Sequence, residues 1–367
     1  MKKFHSPVWC VAGLPFHQMT IEQAVNYLYW SIEHKHRCFL STPNLNFAAT
    51  SQFDPDFYKS VIQSDLVVVD GISLLLTAKL LNIPIPERVA GSDIFARLSE
   101  QVLSPKIKVF FLGGEPGIAE KAHQQLNKSS QGMISCGFYD PGFVSVEEMS
   151  NDSIIEKINN SDPDFLVVAL GAKKGQQWIL RNQTKLNATV ISHLGAVINF
   201  VAGHVKRAPE KWQRYGLEWL WRIRQEPKLL KRYFFDAITY SRLLLTQIIP
   251  LYWYSRYLTQ KVTSHDYQTE VRFSQGEQLI VYLSGCVEGE YLDQLDEIFD
   301  DVLDKQVLDV IINVTDLKLI GADIVGRLLF LQGYLERQGR GLSLQGISEK
   351  LQRILRFSGV LNRFKLI

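Results

Sequence analysis

The sequence lacks several features that define common classes of enzyme and binding protein. Its four cysteines lie far apart, without a CxxC pair or metal-ligand spacing, which argues for a reducing compartment and against a zinc site or a structural disulfide. It contains no GxGxxG and no Walker-type motif, so a dinucleotide-dependent oxidoreductase and a P-loop enzyme both lack their fingerprints. The 40 basic and 38 acidic residues leave a net charge of only +2, which gives no general preference for nucleic acid.

Long apolar runs are also missing. The apolar stretch at the N-terminus is broken by glycine, proline and histidine within residues 7–17 and fails as a secretory signal. Residues 237–258 are apolar and aromatic, but two arginines, a glutamine and a proline interrupt them, which disfavours a membrane-spanning helix. We therefore expect a cytoplasmic protein, and 367 residues are enough for two domains that each bury a core.

The first half of the chain contains short apolar, β-branched runs that alternate with helical stretches of ten or more residues. This alternation predicts an α/β fold, in which a Rossmann-like, mostly parallel sheet is covered by helices on both faces. Thr20 is the expected N-cap of the first helix. The strands are expected at residues 7–14, 38–40, 66–69, 108–112, 165–170 and 189–193.

Polar residues follow two of these runs at positions where open α/β sheets bind ligands. Asp70-Gly71 ends one run, Thr42 and Asn44 follow the preceding one, and Arg88 comes after the next helix. The carboxyl ends of parallel strands share one edge, where helix N-termini offer unpaired N–H groups. We expect these four side chains to meet there; the alternative is that Asp70-Gly71 is an ordinary turn.

A pair of glycines, Gly113 and Gly114, lies between a predicted strand and a predicted helix whose first turn is expected to hold Glu115 and Pro116. Glycines at this place would let the backbone approach a diphosphate at the helix N-terminus. The competing interpretation is that they serve only a tight strand-to-helix turn.

The composition changes after Phe200, since residues 204–233 are rich in lysine, arginine, tryptophan and tyrosine. Indoles and cations suit a membrane interface, although a charged helix is often only a solvated face. Residues 237–258 would extend this surface by lying on the bilayer or packing on a partner, unless they are buried in the protein's own core. The side chains concerned are Trp212, Trp219 and Trp221 with Arg207, Arg214, Arg222, Arg224 and Arg232.

A polar stretch at 259–266 separates off a C-terminal module of about a hundred residues. Its pattern predicts a small α/β module with strands near 270–273, 278–283, 307–313 and 341–345 and helices near 291–303, 323–337 and 348–356. It has no obvious catalytic constellation, so binding or regulation is expected. The predicted domains are 1–203, 204–258 and 267–367.

Several motifs within residues 8–235 resemble the WecG/TagA/CpsF family of bacterial glycosyltransferases. They occur in the order TPNLNF, DLVVVDGIS, ERVAGSDIF, VFFLGGEPGIAEKA, LVVALGAKKGQQW and the basic tail that begins AGHVKRAPEKW. The resemblance implies transfer of an N-acetylmannosamine-type sugar, or a related hexosamine or uronic acid, in cell-surface polysaccharide biosynthesis. The donor would be a UDP-sugar and the acceptor a polyprenyl-diphosphate-linked sugar, with the enzyme peripheral on the inner face of the cell membrane.

Position by position, the resemblance implies an inverting transfer with Asp70 as general base and with Thr42 and Asn44 lining the catalytic pocket. The tail arginines would hold the lipid diphosphate or the membrane. No DxD motif follows a strand, so we expect catalysis without a metal or another cofactor. The substrate-binding residues would be Ser73, Arg88, Gly113, Gly114 and Gln176.

The chain departs from the family in one motif. Where the family usually reads Gly-x-Pro-Lys-Gln-Glu, the proline, glutamine and glutamate have become Lys173, Gly175 and Gln176. Loss of that polar pair at a pocket edge would change the donor, weaken catalysis or abolish it. The alternative function is therefore a catalytically silent scaffold that recruits partners to a polysaccharide-assembly complex through its C-terminal module.

The C-terminal module resembles a STAS domain, in which a serine at a helix start is phosphorylated to break partner binding. Asp323 holds the phospho-acceptor position within the run from Leu319 to Gly326. It would permanently resemble the phosphorylated state towards a protein partner, or the module would no longer switch by phosphorylation. The competing interpretation is that Asp323 is a simple helix N-cap. Homo-oligomerisation is a further expectation, because it would bury the apolar residues 237–258.

Overall fold

The computed structural model describes residues 3–142, 144–205, 208–209, 211–212, 217–260, 270–275, 279–305 and 309–367. Contacts between residues divide the chain into two compact units. The Asp70 unit consists of Met19–Ile72 and Pro86–Asp236, and the Asp323 unit consists of Met1–Gln18, Ser73–Ile85 and Ala237–Ile367. This division by contacts does not follow the predicted domain boundaries, which remain a prediction.

Strands and helices alternate through most of the chain. The strands are β1 (Val8–Val11), β2 (Leu14–His17), β3 (Cys38–Ser41), β4 (Leu66–Val67), β5 (Ile107–Gly113), β6 (Met133–Tyr139), β7 (Phe165–Ala169), β8 (Val190–His193), β9 (Glu270–Gln275), β10 (Leu279–Cys286), β11 (Val310–Asn313), β12 (Leu317–Leu319), β13 (Leu342–Gln345) and β14 (Lys365–Leu366). The helices are α1 (Ile21–Glu33), α2 (Leu45–Phe53), α3 (Pro55–Ile62), α4 (Ile72–Leu80), α5 (Gly91–Glu100), α6 (Ile118–Ser129), α7 (Val146–Met149), α8 (Asp152–Asn160), α9 (Ala172–Asn182), α10 (Gly195–Val201), α11 (Glu218–Gln225), α12 (Leu229–Leu243), α13 (Ile249–Thr259), α14 (Glu290–Asp304), α15 (Ala322–Arg337) and α16 (Glu349–Phe357).

The Asp70 unit contains a six-stranded sheet in the order β4-β3-β8-β7-β5-β6, with every neighbouring pair parallel. Alternate residues enter opposite cores, as the period of two in a strand requires. Val109 and Phe111 pack on one face, whereas Phe110 and Leu112 pack on the other. The predicted α/β fold with a parallel sheet is confirmed, and Thr20 caps α1 in a capping box with Gln23.

The order of the strands creates a crevice at the carboxyl edge of this sheet. The connection after β7 leads to β8 and the connection after β5 leads to β6, in opposite directions. The helices that follow them therefore cover opposite faces, with α6 in one core and α9 in the other. Ligands of open α/β sheets bind at such a switch point.

In the Asp323 unit the sheet order is β12-β10-β11-β13-β14, and β9 pairs antiparallel with β10. The predicted single strand at 7–14 was wrong, because β1 and β2 form an antiparallel hairpin outside the parallel sheet. The hairpin turns at Ala12 and Gly13, which both have positive φ, and packs on α15. A Cβ on Gly326 would lie 2.5 Å from the backbone carbon of Trp9, so only glycine allows this approach.

A long helical segment formed by α12, a π-helical turn (Leu244–Ile248) and α13 carries the apolar sequence. Leu243, Ile248 and Leu258 are buried, whereas Leu245 and Trp253 are exposed. The segment therefore contributes one side to the protein's own core and leaves apolar side chains on another. None of the helices in the described part of the chain is long and apolar enough to span a membrane.

Asp323 is not the N-cap of its helix, so that interpretation was wrong. The N-cap of α15 is Gly321, and the Asp323 carboxylate accepts from the backbone N–H of Ile324 at 2.8 Å. Burial raises the pKa of this carboxyl group. One turn later, the buried Arg327 donates to both oxygens of Asp296 at 2.6 and 2.9 Å.

Candidate functional site

Asp70 lies just beyond β4, at the carboxyl edge of the sheet. Its backbone N–H donates to the carbonyl of Pro43 at 3.0 Å, which ties the end of the β4 segment to the loop after β3. The side chain is 27% exposed, so it is neither solvated freely nor sealed in the core. Burial raises the pKa of this carboxyl group to about 6, against the opposing charge of Arg88.

Arg88 is the centre of the charged groups at this edge. Its Nη2 bonds Asp93 at 3.0 Å, its Nη1 bonds Glu218 at 3.0 Å, and Nη1 lies 4.0 Å from Asp70. One guanidinium therefore faces three carboxylates, and Glu218 helps raise the pKa of Asp70. Asp93 and Glu218 were not among the site residues predicted from the sequence. For Glu218 the available signal was an acidic residue within a basic tail.

Thr42 and Asn44 lie in the loop after β3, beside Asp70. A Cβ on Gly91 would be 3.3 Å from Thr42 Oγ1, and the Gly91 N–H bonds the Asp70 carboxylate. Asn44 is the N-cap of α2, because its Oδ1 accepts from two backbone N–H groups of the first turn. The structure thus brings Thr42, Asn44, Asp70 and Arg88 together, with the Asn44 oxygen engaged in capping.

Ser73 is the third residue after Asp70 and lies in the first turn of α4. Within the Asp323 unit, its carbonyl accepts from Thr77 Oγ1 at 2.9 Å and from the Tyr240 hydroxyl at 3.0 Å. These bonds fix the start of α4. They do not identify a ligand for the Ser73 side chain.

Gly113 and Gly114 form the turn after β5, at the switch point of the sheet. Both have positive φ, of 92° and 97°, and a Cβ on Gly113 would lie 2.7 Å from the carbonyl oxygen of Ala169. Glycine is therefore required by the turn itself. The expected position of Glu115 and Pro116 in the first helical turn was wrong, because Gly117 is the N-cap and α6 begins at Ile118.

Gln176 lies in the interior, because its side chain is completely buried. Its Nε2 donates to Ser41 Oγ at 2.9 Å, while its Oε1 has no hydrogen-bond partner among the residues that the structure describes. Contact between Gln176 and the substrate stays a prediction.

His193, at the end of β8, was missed by the sequence analysis, although it is the polar last residue of a predicted strand. A Cβ on Gly175 would lie only 2.2 Å from its Cδ2, so the imidazole occupies the space next to position 175. Its Nε2 is buried and finds no hydrogen-bond partner in the described part of the chain, and burial lowers the pKa of the imidazole to about 4.

The described residues of the basic tail are exposed or half-buried, except for Val205 and Ala208. None of the residues of α11 is buried, and the charge of Arg222 acts on Asp70 to lower its pKa. Arg224 and Arg232 are exposed. Arg207 and Arg214 lie outside the described residues. Exposed apolar side chains accompany the cations, namely Trp212, Trp219, Leu220, Leu230, Phe234 and Phe235.

Comparison with known proteins identifies the family. The model of the glycosyl transferase WecG/TagA/CpsF family matches residues 9–254, about two thirds of the chain. Three similar proteins are each named N-acetylglucosaminyldiphosphoundecaprenol N-acetyl-beta-D-mannosaminyltransferase.

The Bacillus spizizenii protein is 27% identical over 194 residues, which are 53% of this chain and 74% of that protein. The Staphylococcus aureus protein is 23% identical over 227 residues, 60% of this chain and 86% of its own. The Bacillus subtilis protein is 25% identical over 223 residues, 60% of this chain and 85% of its own. The chain therefore belongs to the WecG/TagA/CpsF family of glycosyltransferase enzymes.

Proposed function

We propose that this enzyme transfers an N-acetylmannosamine-type sugar, or a related hexosamine or uronic acid, from a UDP-sugar to a polyprenyl-diphosphate-linked sugar. The relatives are named for transfer of N-acetylmannosamine to a diphosphoundecaprenol-linked N-acetylglucosamine. The observation that carries the proposal is the half-buried Asp70 carboxylate, with its pKa raised to about 6, beside the Arg88 guanidinium.

Asp70 is the general base of an inverting transfer in this proposal. A carboxyl group with a pKa of about 6 is mostly ionised at neutral pH, and it is more basic than an ordinary aspartate. It removes the proton of the acceptor hydroxyl as that oxygen attacks the anomeric carbon from the face opposite the UDP. Such base catalysis contributes roughly 10²–10⁴-fold in rate.

Arg88 stabilises the negative charge that gathers on the departing UDP, with no metal required. Its guanidinium is held in place by Asp93 and Glu218, which fixes a cation before the charge develops. Three strand spacings, roughly 14 Å, separate the end of β3 from the glycine turn after β5. A donor with its nucleotide at Gly113-Gly114 and its sugar near Thr42 would lie along this edge.

The test is a panel of UDP-sugars with lipid-diphosphate-linked N-acetylglucosamine, in which UDP release is measured with and without EDTA. We expect release with one donor, no loss in EDTA, and loss of at least 100-fold in Asp70→Asn. Asp152→Asn is the matched control, because Asp152 is an exposed carboxylate on α8 that pairs only with Lys185 among the residues described. Strict EDTA sensitivity would contradict the metal-free mechanism.

The scaffold alternative is favoured by one specific observation, the departure from the family's usual glutamine and glutamate at 175 and 176. Gly175 has no side chain, and the Gln176 side chain is fully buried. Under this alternative no donor in the panel releases UDP, and Asp70→Asn leaves the assembly of a polysaccharide-synthesis complex intact. A transfer activity that depends on Asp70 would remove it.

The exposed tail is proposed to dock on the inner face of the cytoplasmic membrane, where Arg224 and Arg232 meet lipid phosphates. Phe234 and Phe235 are 62% and 55% exposed, which suits insertion at the headgroup boundary. Phe234→Ser with Phe235→Ser should abolish co-sedimentation with anionic vesicles. Phe53→Ser is the control, since Phe53 is 68% exposed on α2. Equal binding by both variants would contradict docking through the tail.

The C-terminal module is proposed to be STAS-like, with Asp323 as a fixed charge that governs a protein partner. The support is a mostly parallel sheet with helices on the chain after Glu270 and the carboxylate in the first turn of α15. Asp323→Ser should change the set of proteins retained in pull-downs and accept phosphate from a partner kinase. An unchanged set with no phosphate uptake would contradict this role.

A further inference from the structure

Helix α12 carries two polar side chains, Asp236 and Tyr240, that bond to other segments of the chain. They are four residues apart and so lie on the same face of the helix. Each bond joins residues of one unit: Asp236 bonds Asn46 in the Asp70 unit, and Tyr240 bonds Ser73 in the Asp323 unit.

The Asp236 contact reaches the loop after β3. Asp236 is only 7% exposed, and its Oδ1 accepts from Asn46 Nδ2 at 3.1 Å. The backbone N–H of Asn46 in turn donates to Asn44 Oδ1 at 3.0 Å. Asp236 therefore holds the same helical turn that Asn44 caps, directly after Thr42.

The Tyr240 contact reaches the segment after Asp70. The Tyr240 hydroxyl donates to the Ser73 carbonyl at 3.0 Å and lies 2.7 Å from Thr77 Oγ1. Thr77 also donates to the Ser73 carbonyl, at 2.9 Å. These bonds fix the first turn of α4, which begins two residues after Asp70.

Stability alone does not call for a carboxylate at position 236. An apolar residue would pack at a buried position without the desolvation that a carboxylate suffers, and burial raises the pKa of Asp236. The polar groups fix the positions of their partners, because a hydrogen bond restricts distance and angle more narrowly than apolar contact does. The hydrogen-bond partners, Asn46 and Ser73, follow directly after the loops that carry Asn44 and Asp70.

We propose that Asp236 and Tyr240 are positioning residues, through which α12 sets the loops that carry Asn44 and Asp70 for sugar transfer. This inference rests on the proposed function. It places the control of the catalytic geometry in the helix that begins within the basic tail, and it gives that helix a role besides lipid contact.

The kinetic test uses the full chain with the donor and acceptor that support transfer. Asp236→Ala, Asn46→Ala and Tyr240→Phe should each lower kcat about tenfold while KM for the donor changes less than threefold, because the geometry is disturbed and not the binding. Asp236→Asn keeps an acceptor for Asn46 and should recover most of the kcat. The Asp236→Ala, Asn46→Ala double variant should be no worse than either single variant, whereas additive losses would overturn the proposed link.

Ser241→Ala is the matched control on the same helix. The Ser241 hydroxyl donates only to the carbonyl of Ala237 in its own helix, among the contacts described, so its removal should leave kcat unchanged. If Ser241→Ala lowers kcat as much as Tyr240→Phe, the effect belongs to α12 in general and the proposal fails.

Amide hydrogen exchange separates this inference from the proposed function. Asp236→Ala should speed exchange at residues 45–50, and Tyr240→Phe should speed exchange at residues 74–77, with the remaining peptides unchanged. If no donor supports transfer but these segments respond, the proposed function fails and the positioning contacts stand. If neither segment responds, the inference is overturned whatever the activity.

Discussion

A side chain at position 175 and the imidazole of His193 compete for the same space, since a Cβ on Gly175 would lie 2.2 Å from His193 Cδ2. The two residues lie on α9 and at the end of β8. The family's usual glutamine at position 175 therefore cannot coexist with His193 in this position. The glycine at position 175 and the histidine at position 193 therefore depend on each other: the absence of a side chain on Gly175 makes room for the His193 imidazole.

The first prediction concerns this pair. Gly175→Ala should lower the free energy of unfolding by about 1–3 kcal/mol, because the methyl group overpacks the ring. In a His193→Ala background the same change should stabilise the protein by about 0.5–1 kcal/mol, since alanine is the better helix former. Urea unfolding of the four proteins measures this change of sign. Equal effects in the two backgrounds would contradict the competition for space.

The second prediction concerns the cost of placing Asp70. Its folded-state pKa of about 6 lies above the ordinary 3.8, so the folded state disfavours the ionised form. Asp70→Asn should therefore stabilise the protein by about 1–3 kcal/mol above pH 6. The gain should vanish as the pH falls from 6 to below 3.8, where Asp70 is protonated in both states. Thermal unfolding across this range measures it, and a gain that persists at pH 3.5 would argue against the shifted pKa.

The third prediction concerns Glu218, whose charge raises the pKa of Asp70. Glu218→Gln should move the acidic limb of kcat/KM to lower pH, because the base then ionises more readily. Glu147→Gln, at an exposed carboxylate on α7, should leave the limb in place. An unmoved limb in Glu218→Gln would show that a group other than Asp70 governs the profile.

The fourth prediction concerns His193 and acid. Burial lowers the pKa of its imidazole from 6.5 to about 4, so the unfolded chain binds a proton more readily than the folded one between these values. Stability from the neutral histidine is complete above pH 6.5 and is lost as the pH falls towards 4. The free energies of unfolding of the wild type and of His193→Asn, measured with denaturant, should change differently with pH over this window only. Parallel curves would show that His193 is protonated in the folded protein.

The fifth prediction compares two glycines with positive φ, Gly113 and Gly117. The new methyl group of Gly117→Ala meets no atom of the described residues within 4 Å, so the change should cost about 1–2 kcal/mol through backbone strain alone. Gly113→Ala should cost more, because its Cβ would also lie 2.7 Å from the Ala169 oxygen. Denaturant unfolding compares the two variants. Equal losses in the free energy of unfolding would mean that the turn at the end of β5 shifts to make room for the methyl group.

Much of the Asp70 unit could be predicted from the sequence. The strand predicted at 38–40 matches β3 to within one residue, and the Asp70-Gly71 pair marks the end of the apolar run at 66–69. The hairpin at 8–17 was not, because its role depends on the approach of Trp9 to Gly326, more than three hundred residues away. The local sequence pattern of a hairpin carries no information about which distant helix the hairpin packs against.

The sequence by itself determined the alternating strands and helices and the loops that carry Thr42, Asn44, Asp70 and Arg88, since backbone periodicity and turn chemistry act over a few residues. Only the tertiary structure decided that Glu218 meets Arg88 across 130 positions, that Gln176 is buried, and that His193 lies against Gly175. These pairings depend on close packing between elements, where space and charge are shared by residues that the chain itself keeps far apart.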